Sequence, residues 1–411
     1  MCNMPAPQVQ PPWLSLVGLG ADGWDGLSEA ARQAVREAAL LIGGARHLSL
    51  VPKTAGQERM AWPSPLHDAY DTILSRRGAP VCVLASGDPF WHGIGATLAR
   101  RIDPAEMRVF PGASAFSLAA ARMGWALQEM VCVSVHGRAL ERVIPHLHDG
   151  ARLLVLSWDG TTPSALAELL TARGFGESTM TVLAQMGGPE EQRFESKALG
   201  WMRRRVPDLN TIAVECRGGA EARIVASVAG RAEDAFAHDG QITKREVRAV
   251  TLAMLAPGQG ELLWDVGAGC GSIAVEWMLS HASNHAVAVE ARAERAQRIG
   301  ENARAFGVPG LRCMTGRAPE ALSDLEPPDA VFIGGGVSGD GVFDACWSAL
   351  KPGGRVVANS VTLEGEAVLA QAAERFGGEL VRLNVSRAEP LGRFSGWAAL
   401  RPVTIWKGLK P

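Results

Sequence analysis

One stretch of the chain constrains its fold more than any other: Leu262-Leu263-Trp264-Asp265-Val266-Gly267-Ala268-Gly269-Cys270-Gly271-Ser272. A hydrophobic run ends in an acid, and a GxGxG loop leads into a helical pattern. Glycines there let the backbone turn sharply and approach a ligand without Cβ clashes. The helix that follows presents unpaired N–H groups and a partial positive charge at its N-terminus. That suits the carboxylate of a methionine moiety as well as a phosphate. Glu290 stands twenty-five residues after Asp265, at the end of the apolar run 285–289, where an acid can accept both hydroxyls of a ribose. The loop Gly316-Arg317-Ala318-Pro319 closes a third strand, where an adenine would lie. The acid two residues before the first glycine, the GxGxG spacing and the acid at strand two favour S-adenosylmethionine (SAM). A dinucleotide-binding Rossmann loop, with Ser272 as its third small residue, is the alternative.

Around this loop, apolar runs alternate with helical patterns throughout, the signature of an α/β protein. In the first half strands are expected near 13–17, 81–85, 107–110, 131–135, 153–156, 180–184 and 211–215, with helices near 26–40 and 162–172. Arg203-Arg204-Arg205 reads as a solvated loop. The stretch 217–230 is rich in small residues without a helical stripe, so a domain join is expected near 225–240. Beyond it come a helix at 244–255, strands ending near 266, 290, 314, 333 and 358, and two extended stretches at 379–386 and 397–406. Five βα steps and a terminal antiparallel pair predict a seven-stranded doubly wound sheet.

At 411 residues the chain is long enough for two domains. Lysine and arginine number 41 against 43 acids, a net charge of −2, so no global basic field exists to hold nucleic acid. No run of 18 apolar residues exists to span a membrane, and the opening MCNMPAPQVQPP lacks the basic and apolar regions of a signal peptide. The seven cysteines are odd in number, widely spaced and without a CxxC pair, which argues for reduced thiols in a cytoplasm rather than a disulfide framework or zinc site. The His146–His148 pair lacks a third ligand and reads as an exposed loop, so no metal site is expected.

The segments FAHDGQITKREVRA (236–249), LWDVGAGCGSIAVEW (263–277), PDAVFIGGG (328–336) and LKPGGRVVANSVTLE (350–364) resemble the decarboxylating precorrin methyltransferases of the cobalamin pathway. The resemblance covers most of 236–411 and implies a class I, Rossmann-like SAM methyltransferase domain. By position it implies SAM contacts from Thr243, Gly267, Gly269, Gly271, Glu290 and Ala318, beside Asp265 of the strand.

In the first half, Val17-Gly18-Leu19-Gly20-Ala21-Asp22-Gly23 formally reads GxGxxG, but no acid ends a second strand; Leu41-Ile42-Gly43-Gly44 stands there instead. Two further loops, 85–93 (ASGDPFWHG) and 110–115 (FPGASA), follow later strands. Together the three resemble the tetrapyrrole (uroporphyrinogen III/precorrin) methylase family, which binds SAM between two α/β lobes; the resemblance spans about residues 12–217 and implies a domain over 12–228. Carried over by position, Ser86, Gly87, Asp88 and Trp91 match the first cofactor loop and Ser114 and Ala115 the second, while Trp158 falls beside the adenine. Ala21-Asp22 replace the family's usual Pro-Gly, and Leu183-Ala184-Gln185-Met186-Gly187 replaces a more usual Asn-Leu-Gly.

By resemblance, the fusion of these two domains implies a bifunctional enzyme that methylates precorrin-6B at carbons 5 and 15 and removes CO₂ from the ring C acetate, giving precorrin-8. The first half would act at carbon 5. The second would act at carbon 15 and decarboxylate. Action on cobalt-precorrins, or a non-catalytic binding role for one half, are the alternatives. Methyl transfer from a sulfonium asks mainly for positioning and water exclusion. A polycarboxylated substrate asks for cations, and Lys244 and Arg248 share a helix face at i,i+4. One or both would receive a substrate carboxylate, unless this is a solvated helix end. His238 is a candidate proton donor near the reacting acetate, with a helix cap as the competing role. Self-association, as a homo-oligomer, is expected from the resemblance.

Overall fold

The computed structural model describes residues 12–411; Cys2 and the rest of the opening stretch lie outside the described residues. The chain divides into two compact units. Unit 1 runs to Arg138 and resumes over His148–Arg223, while unit 2 comprises Ala139–Leu147 and Ile224–Pro411.

Unit 1 holds two five-stranded sheets. The first contains β1 (Leu14–Leu19), β2 (Leu40–Gly43), β3 (Glu58–Ala61), β4 (Val81–Ser86) and β5 (Met107–Phe110), ordered β3-β2-β4-β1-β5 and wholly parallel. Parallel strands must be covered on both faces. The alternation of β1 does this: Leu14 and Leu16 join one apolar cluster, Val17 and Leu19 the other. The second sheet contains β6 (Val131–Ser134), β7 (Arg152–Leu156), β8 (Thr179–Ala184), β9 (Gln192–Lys197) and β10 (Asn210–Glu215), ordered β6-β7-β10-β8-β9. Only β6 and β7 pair in parallel; the other three pairings are antiparallel.

The glycine-bearing loops of the first sheet meet at the C-terminal ends of their strands. Gly87 donates its N–H to the Leu19 carbonyl at 3.0 Å, and Gly112 donates to the Gly87 carbonyl at 3.1 Å. A Cβ on Gly18 would overlap the Gly87 carbonyl oxygen and stand 2.5 Å from Gly112 N, so three separated segments touch through positions where only glycine fits.

Unit 2 is built on β11 (Leu262–Val266), β12 (His285–Glu290), β13 (Arg312–Thr315), β14 (Ala330–Ile333), β15 (Arg355–Ser360), β16 (Glu379–Leu383), a hairpin of β17 (Ser386–Leu391) and β18 (Phe394–Ala399), and β19 (Val403–Leu409). The expected seven strands form one sheet in the order β13-β12-β11-β14-β15-β19-β16; the first five are parallel, and β19 pairs antiparallel with both neighbours. The terminal segment departs from the expected simple pair. The 397–406 stretch breaks into β18 and β19, and β18 leaves the sheet to form the separate hairpin with β17. The β17–β18 residues are mostly exposed, so no core-facing alternation marked the break.

Leu263 faces a cluster with Ile273, Trp277 and Phe332, while Trp264 and Val266 face another with Val342, Cys346 and Trp406. Both faces of the central strand are therefore sealed. Among the described residues no helix is long and apolar enough to cross a membrane. His146 ends the 3-10 segment Leu140–His146 and is half-buried, not in an exposed loop; His148 is exposed.

Candidate active site

Unit 1 contains a cavity of about 530 Å³ where the three glycine loops converge. Ser86, Gly87, Asp88, Trp91, Ser114, Ala115 and Trp158 all line it. Each is placed by a local reason. Asp88 Oδ1 accepts the Phe90 N–H at 2.8 Å, which folds the SGDP turn. Ser114 caps the helix Ala115–Met123, its Oγ accepting the Ser117 N–H at 3.0 Å. Trp91 stands edge-to-face on Phe116 with ring centroids 6.1 Å apart. Trp91 and Trp158 are 52% and 58% exposed, large apolar surfaces left open at a cavity wall. Leu183 and Met186 also line the cavity, and the intervening Gln185 adopts a left-handed φ of +53°. The atypical segment at 183–187 is thus part of the wall.

Sequence reasoning missed His47, which lines the same cavity and places Nε2 2.8 Å from Ser86 Oγ. Burial, with the Arg46 guanidinium second, pushes its imidazole down to about 4. It follows Gly43-Gly44 at the end of β2, the same strand-then-glycine arrangement as the recognised loops, and that was the available signal.

Unit 2 contains a cavity of about 600 Å³ over its glycine loop. Gly267, Gly269 and Gly271 have φ of +69°, +60° and +75°, and a Cβ on Gly267 would stand 2.6 Å from the Gly335 carbonyl oxygen. Glu290 is buried at the strand end. Its Oε2 accepts the Gly269 N–H at 2.9 Å and its Oε1 accepts the Arg292 N–H at 3.0 Å, so the acid both anchors the loop and keeps lone pairs beside it. Asp265 is fully buried. Oδ2 accepts the Ala274 N–H at 3.0 Å, while Oδ1 has no partner. Burial raises its carboxyl to about 7, helped by Glu290 and opposed by the Ala274 bond.

Thr243, Lys244 and Gly269 line this cavity. Gly267 and Gly271 belong to the loop itself, Glu290 and Asp265 accept the Gly269 and Ala274 N–H groups, and Ala318 packs beside the apolar cluster of the opposite sheet face; none of these five is at the cavity wall. Asn359, Ser360 and Arg401 line the cavity and were not singled out; the first two lie within a recognised segment, whereas Arg401 follows the exposed hairpin, where no pattern marks it.

Two expectations are corrected. Arg248 does not face the cavity. Its side chain is wholly buried, its Nε donates to Glu276 Oε1 at 2.9 Å, and further N–H groups donate to the Thr243 and Arg231 carbonyls. The guanidinium also lies over the Phe236 ring, 4.9 Å from its centroid. Lys244, at the helix N-cap, remains at the cavity wall, so the two cations do not act together. His238 is not at the cavity wall, and its Nδ1 accepts the Gly240 N–H at 2.9 Å. Neither His238 nor Asp239 caps the helix Arg245–Leu255. Asp239 pairs with Arg295 at 2.8 Å and Arg298 at 3.4 Å.

In unit 2 the positive-φ glycine loop with an acid beside it suits a sulfonium nucleoside with an amino-acid tail, and in unit 1 three glycine loops pack backbone against backbone at the cavity. Known proteins sharpen this. Residues 14–199 match the tetrapyrrole (corrin/porphyrin) methylases and residues 234–410 the precorrin methyltransferase domain. The chain is 52% identical to a precorrin-6Y C(5,15)-methyltransferase [decarboxylating] of a Sinorhizobium species, over 98% of both chains. The chain belongs to this family. Two shorter relatives carry single activities in their names. A cobalt-precorrin-7 C(5)-methyltransferase of Salmonella typhimurium is 30% identical over 46% of this chain and 90% of its own. A probable cobalt-precorrin-6B C(15)-methyltransferase (decarboxylating) of Pyrobaculum calidifontis is 35% identical over 40% of this chain and 86% of its own. As a member of the precorrin-6Y C(5,15)-methyltransferase family, the chain is a SAM-dependent methyltransferase of cobalamin biosynthesis.

Proposed function

We propose that each unit carries its own SAM site, and that the chain converts precorrin-6B to precorrin-8 by methylating carbons 5 and 15 and decarboxylating the ring C acetate. In this reading unit 1 methylates carbon 5, and unit 2 methylates carbon 15 and releases CO₂. The observation that carries it is the pair of separate glycine-lined cavities, each built from the loops of a different methyltransferase family. The two single-activity relatives, each similar to less than half of the chain, support the division of labour.

Bound SAM supplies an electrophilic methyl group. The chain's part is to hold the macrocyclic carbon in line with it and to exclude water. In unit 1 the exposed faces of Trp91 and Trp158 suit a flat, conjugated ring. In unit 2 Thr243, Gly269 and Glu290 serve the donor. Lys244 and Arg401 offer cations to the carboxylates of the substrate, and no ion pair occupies either among the described residues. A homo-oligomer acting in the cytoplasm completes the reading; the six cysteines among the described residues are unpaired, which suits a reducing compartment.

The test is to incubate the protein with precorrin-6B and SAM and to weigh the product. Two added methyl groups and one lost CO₂ are expected. A product with one methyl group, or with CO₂ retained, would contradict the reading.

A further inference from the structure

His47 and Ser86 form a pair that the three glycine motifs do not account for. His47 lies on the short helix Ala45–Ser49, after β2, and Ser86 ends β4. Nε2 and Oγ are 2.8 Å apart, and both residues line the cavity of unit 1. The other ring nitrogen, Nδ1, is buried without a hydrogen-bond partner, on the side where a Cβ on Gly44 would stand 3.4 Å away.

This arrangement selects a tautomer. A proton on Nδ1 would be a buried donor with nothing to receive it, whereas a bare nitrogen is the less costly orphan. The proton therefore belongs on Nε2, which donates to Ser86 Oγ. The low position of the imidazole, near 4, keeps the ring neutral around pH 7. With one lone pair of Oγ taken by His47, the Ser86 O–H is free to donate, and Ser86 is exposed at the cavity wall.

We propose that His47 is a positioning residue that fixes the Ser86 hydroxyl as a hydrogen-bond donor aimed at a carboxylate bound in the unit 1 cavity. The carboxylate belongs to the methionine moiety of the methyl donor or to an acidic side chain of the tetrapyrrole. The proposal rests on the assignment of a SAM site to unit 1.

The test uses the full chain carrying Glu290→Gln to silence unit 2, and compares Ser86→Ala, His47→Leu and His47→Gln. Glutamine keeps an N–H donor near the place of Nε2; leucine does not. Binding of S-adenosylhomocysteine and of methylthioadenosine, which lacks the carboxylate, is measured by calorimetry, together with the KM of the tetrapyrrole. Ser86→Ala and His47→Leu are expected to weaken S-adenosylhomocysteine about ten-fold or more and to spare methylthioadenosine, with His47→Gln within about three-fold of the parent. Unchanged donor affinity with a ten-fold rise in tetrapyrrole KM, again rescued by glutamine, places the carboxylate on the substrate and also supports the proposal. Equal losses for His47→Gln and His47→Leu, equal losses for both nucleosides, or no change in any quantity would overturn it. A parent chain that binds no S-adenosylhomocysteine in unit 1 would overturn the two-site assignment itself, and the proposal with it.

Discussion

Arg248 donates from Nε to Glu276 Oε1 at 2.9 Å, with both side chains sealed from solvent. Glu276 also accepts the backbone N–H groups of Gly230 and Arg231 at 2.8 and 3.0 Å. The acid thus ties the segment before the helix Arg245–Leu255 to the helix that follows the glycine loop. Arg231 Nη1 also stands 3.7 Å from Glu276 Oε1, so losing Glu276 strands buried guanidinium charge, a cost of about 3–5 kcal/mol, while losing Arg248 leaves the acid a more distant partner. Arg248→Met and Glu276→Gln are expected to lower the stability of the chain by amounts approaching this range, measured by denaturant unfolding. An Arg248→Met chain of undiminished stability with a raised substrate KM would instead restore the substrate role.

Lys244, four residues earlier, is expected to behave in the opposite way. It lines the unit 2 cavity from the helix N-cap. Lys244→Met is predicted to leave the unfolding midpoint nearly unchanged and to raise the tetrapyrrole KM several-fold, as expected for loss of a charge-assisted contact of about 1 kcal/mol or more. Steady-state kinetics of carbon-15 methylation decides the point.

Gly18 tests the convergence of loops in unit 1. A Cβ there would overlap the Gly87 carbonyl oxygen, and a backbone carbonyl cannot swing away as a flexible side chain does. Gly18→Ala is predicted to destabilise unit 1 by about 3 kcal/mol, the upper end for overpacking. It is also predicted to abolish methylation at carbon 5 while carbon 15 is still methylated. Gly137→Ala is the control. Its φ is +66° but the space around it is open, so the cost should be near 1 kcal/mol and both methylations should survive. Product mass and thermal unfolding read both outcomes.

Asp265 sets a pH dependence. Burial raises its carboxyl from 3.8 to about 7 in the folded chain. Below pH 3.8 both states hold the proton and the residue costs nothing. Between pH 3.8 and about 7 the unfolded chain releases the proton first, so stability falls as pH rises, and the loss is complete above the folded value. Asp265→Asn removes this component. The stability difference between variant and parent should therefore grow in favour of the variant from pH 4 to pH 7 and then level off. A difference that is flat with pH would show that Asp265 is ionised throughout.

Much of this was legible in the residues. Most of the parallel strands of both units follow from continuous apolar runs, and their ends from glycine; Leu40–Gly43, fully buried in its sheet, does not, because its apolar residues continue the helical pattern expected over 26–40. The helix Thr162–Ala172 and the strand Met107–Phe110 fall where the pattern places them. Short or half-exposed strands were not legible: Glu58–Ala61 and Gln192–Lys197 are edge strands whose polar residues mask their period. At the sites, residues identified by loop position fared differently from those identified by charge. Ser86, Trp91 and Ser114 line a cavity because a strand end puts its loop there. Arg248 shares Lys244's spacing but points into the core, because i,i+4 spacing defines a face of the helix and leaves open which neighbour covers it. His47 stands in no recognised motif and enters the cavity wall only because Leu40–Gly43 pairs with β4, setting it against Ser86.

The most direct test of two donor sites in one chain is a calorimetric titration of the full-length protein with S-adenosylhomocysteine. The account predicts two equivalents bound per chain, reduced to one by Glu290→Gln in unit 2 and to the other one by Gly18→Ala in unit 1. A single equivalent in the parent protein would contradict it.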